Sequence, residues 1–145
     1  MAQDNIYIDT SSLIPLYFEE VFSTKAQHFF ATNNTFVISE LSKVEFYSTA
    51  RKKVRMGDTS ESEIKKVFRV FDSHLDQELF SIINLAKNHF HAASTIIKST
   101  NNSLRSLDAL HLGIAYSENI SVLSFDKIFN ETAEEFGIPI ISYSG

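Results

Sequence analysis

Near the N-terminus a short apolar run, Ile6-Tyr7-Ile8, stops abruptly on a carboxylate and three hydroxyls, Asp9-Thr10-Ser11-Ser12. β-branched and aromatic residues favour an extended chain. Asp, Thr and Ser start helices, because their side chains accept the unpaired N–H groups of a first turn. The stretch therefore reads as strand, turn, helix, with Asp9 at the carboxyl end of the strand. In open α/β sheets that edge is where ligands bind. Asp9 either caps the helix behind it or faces a site, and this stretch alone leaves both open.

The rest of the chain continues the alternation. Residues 12–20 read as a short helix, with Pro15 tolerable in its first turn. A second helix covers 23–32. Residues 35–38 form a β-prone run, and Ser39 follows as the cap of a longer helix over 40–55, with Leu41, Val44 and Ser48 as its inner stripe. Gly57-Asp58 breaks that helix, and Ser60 with Glu63 has the spacing of a capping box. The helix it opens carries Ile64, Val67, Phe68 and Phe71 at helical spacing, a core stripe. A strand at 79–83, a helix at 85–99, a loop at 101–103 and a helix at 104–117 follow. Leu104, Leu107, His111 and Ile114 make the stripe of that last helix. The chain closes with a buried strand at 120–125, a helix at 126–136 ended by Gly137, and an edge strand at 138–141 that accommodates Pro139. Strands alternating with helices predict a parallel sheet covered on both faces. The 145 residues suit one domain, from which a helical hairpin at about 40–77 is expected to protrude as a clip.

Composition narrows the function. Apolar residues make up 43% and charged residues 21%, an ordinary globular balance. The net charge of −5 advertises no nucleic-acid affinity, although a local basic face can coexist with clustered acids. There is no cysteine, hence no disulfide framework and no thiolate metal site. Residues 1–5 carry no secretory signal, and no apolar run approaches the roughly 20 residues that span a bilayer. The expectation is a soluble cytoplasmic protein without a membrane segment.

Four acids stand out. Asp126 repeats the logic of Asp9, closing the run Val122-Leu123-Ser124-Phe125; its alternative is a cap on the next helix. Glu45 and Asp108 lie at helical spacing beside apolar stripes, where a charge is costly unless paired or metal-bound. A salt bridge, such as Asp108 to Arg105 or Glu45 to a lysine, would satisfy either one singly. Four carboxylates converging on one rim of a sheet would repel one another without a cation. Hard oxygen ligands suit Mg²⁺ or Mn²⁺. An acidic cluster holding such ions usually carries out phosphoryl chemistry. Ser11, or Thr10, has the reach to hydrogen-bond a carboxylate or a scissile phosphate.

The chain resembles a PIN domain, and among these the VapC-type toxins of bacterial toxin–antitoxin pairs. The resemblance covers essentially the whole chain. It is carried by Tyr7-Ile8-Asp9-Thr10-Ser11-Ser12-Leu13, by Glu45 in the third helix, by Leu104-Arg105-Ser106-Leu107-Asp108-Ala109-Leu110-His111-Leu112, and by Leu123-Ser124-Phe125-Asp126-Lys127. It implies a Rossmann-like three-layer α/β/α sandwich with strand order 3-2-1-4-5, which sets the first and fourth strands, and so Asp9 and Asp126, side by side. It also implies a Mg²⁺- or Mn²⁺-dependent endoribonuclease with Asp9, Glu45, Asp108 and Asp126 as its acids, a cognate antitoxin and a homodimer. Ser124 stands where the family usually has Thr and keeps the hydroxyl.

His111 shares a face with Asp108 and reads as a core histidine bonded to backbone, with metal ligand or general base as alternatives. Arg105 either steadies Asp108 or meets a phosphate. Lys43, Arg51, Lys52, Lys53 and Arg55 on the third helix, with Lys65, Lys66 and Arg69 on the fourth, form a solvated charged face. Beside a nuclease site the same face becomes an RNA-backbone track.

Overall fold

The computed structural model describes residues 4–32 and 34–141. Its centre is β1 (Asn5–Ile8), which pairs in parallel with β2 (Thr35–Ser39) on one side and β4 (Ser121–Leu123) on the other. β2 in turn pairs with β3 (Phe80–Ile83), so the sheet runs β3-β2-β1-β4. The register aligns Ile6 with Phe36 and Ser121, and Ile8 with Leu123. Ile8 and Leu123 therefore lie abreast, and the residues that follow them emerge at one rim.

Side chains of a strand alternate between the two faces, and both faces here are buried. Ile6, Ile8, Phe36, Ile38 and Leu123 enter one core, with Leu13 and Ile14, Phe46 of α3 (Glu40–Arg55) and Phe71 of α4 (Glu61–Asp76). Phe46 and Phe71 stack with ring centroids 4.1 Å apart, which ties α3 to α4. Tyr7, Val37 and Val122 enter the other core, under α5 (Lys87–Ser99), α6 (Ser106–Glu118) and α7 (Lys127–Glu135). The result is the expected three-layer α/β/α sandwich. No helix among the described residues is long and apolar enough to cross a membrane.

Several boundaries differ from the sequence reading, each for a physical reason. The first helix starts earlier than residue 12 and stops earlier than residue 20. It comprises α1 (Thr10–Leu13) and a 3₁₀ turn over Ile14–Leu16, because Pro15 withholds an N–H that a longer helix requires. A separate α2 covers Ser23–Phe30. In α3 the inner stripe is Ser42, Phe46 and Ala50 rather than Leu41, Val44 and Ser48; Phe46 sets the face, and Val44 is 67% exposed. Ser60 caps α4 as expected by accepting from Glu63 N–H, while the Glu63 carboxylate turns to Lys66. α6 begins at Ser106, with Leu104 buried ahead of it and Leu107 half exposed. Beyond β4 the edge strand reduces to one parallel bridge, Ile140 to Val122, held by Val122 N–H to Pro139 and Ile141 N–H to Val122. That bridge places the segment next to β4, where order 3-2-1-4-5 puts it. Gly137 closes α7 with φ +71°.

α6 is buried almost all round from Ala109 to Ala115, and Gly113 is what lets it sit against α5. A Cβ at Gly113 would lie 2.6 Å from the His89 carbonyl oxygen and 2.8 Å from the Ala93 nitrogen, both backbone atoms. Neither can turn aside as a flexible side chain would. Gly113→Ala is therefore expected to destabilise the protein by roughly 1–3 kcal/mol, read in urea as a lower midpoint with an unchanged slope.

Candidate active site

Asp9 leaves β1 with an extended backbone and stands at the first position before α1, yet its side chain accepts no backbone N–H from that helix. The cap alternative is thus excluded for Asp9. Its Oδ2 instead accepts from Ser11 Oγ at 2.6 Å and from Ser124 Oγ at 2.9 Å. Its Oδ1 is buried and has no hydrogen-bond partner among the described residues. Burial pushes the Asp9 carboxyl above its ordinary range, against the pull of the surrounding hydroxyls.

Ser124 links two acids. The hydroxyl that donates to Asp9 also accepts from the Asp126 N–H at 3.0 Å. Asp126 does cap its helix, Oδ1 accepting from Phe129 N–H at 3.0 Å. Asp108, in the first turn of α6, is half-buried, and Arg105 Nε stands 3.8 Å from its Oδ2. The Asp108 carboxyl is pushed up by burial first, then by the charge of Asp9, with Asp126 adding to it while Arg105 and His111 pull the other way. Asp108 is therefore close enough to feel the charges of both Asp9 and Asp126.

Glu45 is held differently. Its Oε1 accepts from Thr10 Oγ1 at 2.7 Å and from His111 Nε2 at 2.5 Å. Burial alone would raise Glu45, but the bond to His111 and its charge, with Thr10 and Arg105, hold it below its usual range. No lysine takes part. His111 is almost fully buried and bonds to side chains rather than to backbone: its Nδ1 lies 2.5 Å from the Tyr7 hydroxyl. Thr10, the alternative to Ser11 as a hydroxyl for a carboxylate, binds Glu45. Tyr7 did not stand out in the sequence; its one signal was a hydroxyl in a buried strand end.

Thr10, Ser11, Glu45, Arg105, Asp108 and His111 line one open cleft, and the exposed apolar side chains of Val44 and Leu107 share its wall. As these side chains are placed, no three Asp, Glu or His residues among those described form a group that could hold one ion. Of the basic residues, Arg51 makes a two-pronged bond to Glu61, at 2.7 and 3.0 Å. Lys53 pairs with Glu20 and lies over the Phe18 ring. Lys43 pairs with Glu40 and Lys66 with Glu63. Lys52, Arg55 and Arg105 project outward; Arg105 is 85% exposed.

The profile of the PIN domain matches residues 6–135, so the chain belongs to the PIN domain family. A search of curated proteins by sequence returns no match. Among solved structures, VapC20 of Mycobacterium tuberculosis, a toxin that cleaves the sarcin–ricin loop, superposes with a TM-score of 0.68 at 13% identity, covering 87% of this chain and 93% of that one. VapBC2 of Rickettsia felis bound to a DNA fragment from its promoter gives 0.69 at 14% identity, covering 97% and 99%. FitAcB of Neisseria gonorrhoeae gives 0.70 at 12% identity, covering 94% and 96%. At such identities the likeness is one of fold.

The raised Asp9 carboxyl has a consequence for stability. Above the ordinary Asp value of about 4 and below its own raised value, the folded state binds more protons here than the unfolded state. Stability falls with rising pH through that window. Glu45, held low, contributes the opposite slope, so the comparison must be between wild type and variant. In chelator at neutral pH, Asp9→Asn should melt a few degrees higher than wild type, consistent with roughly 0.5–2 kcal/mol. The gap should close as the pH approaches about 4. Thermal melts across pH check it; a variant that melts lower throughout would mean that the charge is not strained.

Proposed function

We propose that the protein is a Mg²⁺- or Mn²⁺-dependent endoribonuclease, the toxin of a VapBC-like toxin–antitoxin pair, acting in the cytoplasm. The observation that carries this reading is Asp9: a buried carboxylate at the carboxyl end of the central strand, with one oxygen unpartnered among the described residues and Asp108 near enough to feel its charge. Burying such a group is expensive unless something positive completes it. The donors are all hard oxygens, which fits Mg²⁺ or Mn²⁺ better than softer metals. Asp9, Asp108 and Asp126 would hold the ion, and Glu45 would join them directly or through water. When bound, the cation supplies a Lewis acid for the phosphodiester and an activated water.

The chain's own residues do the rest. Ser11 and Ser124 fix the Asp9 carboxylate by donating to Oδ2 and leave Oδ1 free to accept. Arg105, exposed at the mouth of the cleft, is placed to meet a phosphate, with Lys52 and Arg55 beyond it as backbone contacts. Arg51 and Lys53 would join that track only by leaving Glu61 and Glu20. An RNA loop suits a shallow acidic cleft because its backbone is splayed, and VapC20 acts on such a loop. The exposed Val44 and Leu107 beside the acids offer an apolar seat for an antitoxin helix, with α3 as one wall. A toxin–antitoxin complex from Klebsiella pneumoniae shares this fold, and a homodimer would align two clefts.

A second reading is favoured by one observation. Asp126 caps α7 and Asp108 approaches Arg105, which are structural uses for two of the acids. On that reading the protein is a PIN-like RNA- or protein-binding module without catalysis. A fluorescent RNA hairpin separates the two. Cleavage should appear with Mn²⁺ or Mg²⁺, vanish with excess chelator, and fall at least about a hundredfold in Asp108→Asn and in Asp126→Asn, the scale of removing one electrostatic stabiliser. RNA bound but uncut under all conditions would establish the binding module.

A further inference from the structure

Glu45 differs from the other acids in what stands behind it. Its carboxylate is the end of a line of side chains that runs through the core. Ser42 Oγ lies 3.3 Å from Ser39 Oγ, Ser39 Oγ lies 2.9 Å from the Tyr7 hydroxyl, Tyr7 reaches His111 Nδ1, and His111 Nε2 reaches Glu45 Oε1. Tyr7, Ser39, Ser42 and His111 are all buried. The line crosses four elements, from β2 and α3 through β1 to α6 and back to α3.

Chemistry sets the direction of donation. An ionised carboxylate only accepts, so His111 donates through Nε2–H. A neutral ring presents Nδ1 as an acceptor for the Tyr7 O–H, and a charged ring donates through Nδ1–H to the Tyr7 oxygen; either way Nε2 donates to Glu45. The Tyr7 and Ser39 hydroxyls pair at the far end of the line. Thr10 adds a second donor to the same Oε1 of Glu45. Oε2 has no hydrogen-bond partner among the described residues. A glutamate has more rotamers to lose than an aspartate, so of the four acids this one most needs fixing from behind.

We infer that His111 is a positioning residue, anchored on Tyr7 and donating to Oε1, that holds the Glu45 carboxylate in the cleft with Oε2 open to a cation. The inference rests on the reading of the cleft as a cation site. It differs from a core role for His111 in one respect: what matters is the donor at the Nε2 position, not the filling of space. Gln carries an N–H₂ at nearly the position of Nε2, whereas the amide of Asn reaches only as far as Nδ1. His111→Gln therefore keeps the donor to Glu45, and His111→Asn loses it while keeping a polar group beside Tyr7.

The test uses the full chain and Mn²⁺ alone, titrated by calorimetry without RNA. His111→Asn should weaken Mn²⁺ binding about ten- to a hundredfold, the usual cost of losing a supporting hydrogen bond. His111→Gln should restore most of it. An Asn variant that folds and binds Mn²⁺ like wild type overturns the inference, as does a Gln variant no better than Asn. Asp9→Asn separates this from the wider reading: if it alone loses Mn²⁺, only the positioning role fails, and if neither variant loses it, the cation site fails too. Should His111→Asn not fold, imidazole nitrogen NMR of the wild type decides. A neutral ring protonated at Nε2 supports the inference, and a proton on Nδ1 of a neutral ring overturns it.

Discussion

A strand covered on both faces has only its ends in which to place polar chemistry, and β1 is such a strand. Tyr7 and Ile8 are inaccessible to solvent, one facing each core. The first residue past Ile8 is Asp9, so a carboxylate enters the structure where two helical layers and the neighbouring strand end have already excluded water. Its position is not adjustable. The parallel register sets Leu123 beside Ile8, and Asp9 N–H reaches across to the Leu123 carbonyl. Ser124 is thereby delivered next to Asp9, and Asp126 two residues on. The proximity of these acids is a property of the sheet rather than of any flexible loop.

The four acids then divide by how the fold treats them. Asp9 and Asp108 are raised by burial, and Asp108 also by the charge of Asp9, which disfavours their ionised forms in the folded state. Glu45 is relaxed, because two donors converge on one of its oxygens. Asp126 is occupied by the first turn of α7 through one oxygen only. A purely structural set of carboxylates would be expected to find partners for all its buried oxygens, as nearly all buried polar atoms do. Asp9 Oδ1 does not. Strain of this kind is confined to one rim and tolerated by an otherwise well-packed molecule.

Much of this was legible in the sequence, and the lapses are instructive. Ile6-Tyr7-Ile8 before Asp9, and Val122-Leu123-Ser124-Phe125 before Asp126, mark two strand ends as short apolar runs followed by capping residues, although β4 itself stops at Leu123; that the two strands are neighbours came only from the strand order the resemblance implies. Both cores follow from strict alternation along β1 and β2. The faces of α3 and α6 were less legible. Val44 and Leu107 are apolar and sit at helical spacing, so a stripe drawn by hydrophobicity takes them inward. In the molecule they face the cleft, while small residues take the inner positions: Ser42 and Ala50 in α3, Ala109 and Gly113 in α6. Close approach between elements favours small side chains, and a scale that ranks residues by hydrophobicity cannot register it. The partners of His111 were illegible for another reason. Tyr7 and His111 are 104 residues apart, and nothing local to either announces a bond that only the sheet creates.

Leu107 of the exposed apolar pair and His111 of the buried polar line sit on one helix. α6 carries Asp108 and His111 one turn apart, with Leu107 at the rim and Gly113 on the side that meets α5. α5 and α6 approach so closely at Gly113 that no side chain fits between them. That approach lets His111 reach Tyr7 on the central strand, and through His111 it fixes Glu45 on α3. An acid from one helical layer and an acid from the other are thus brought to the same cleft by a single rigid element. Its freedom to shift is removed at Gly113, far from any charge. In this fold the arrangement of carboxylates depends as much on where a Cβ is missing as on where the acids stand.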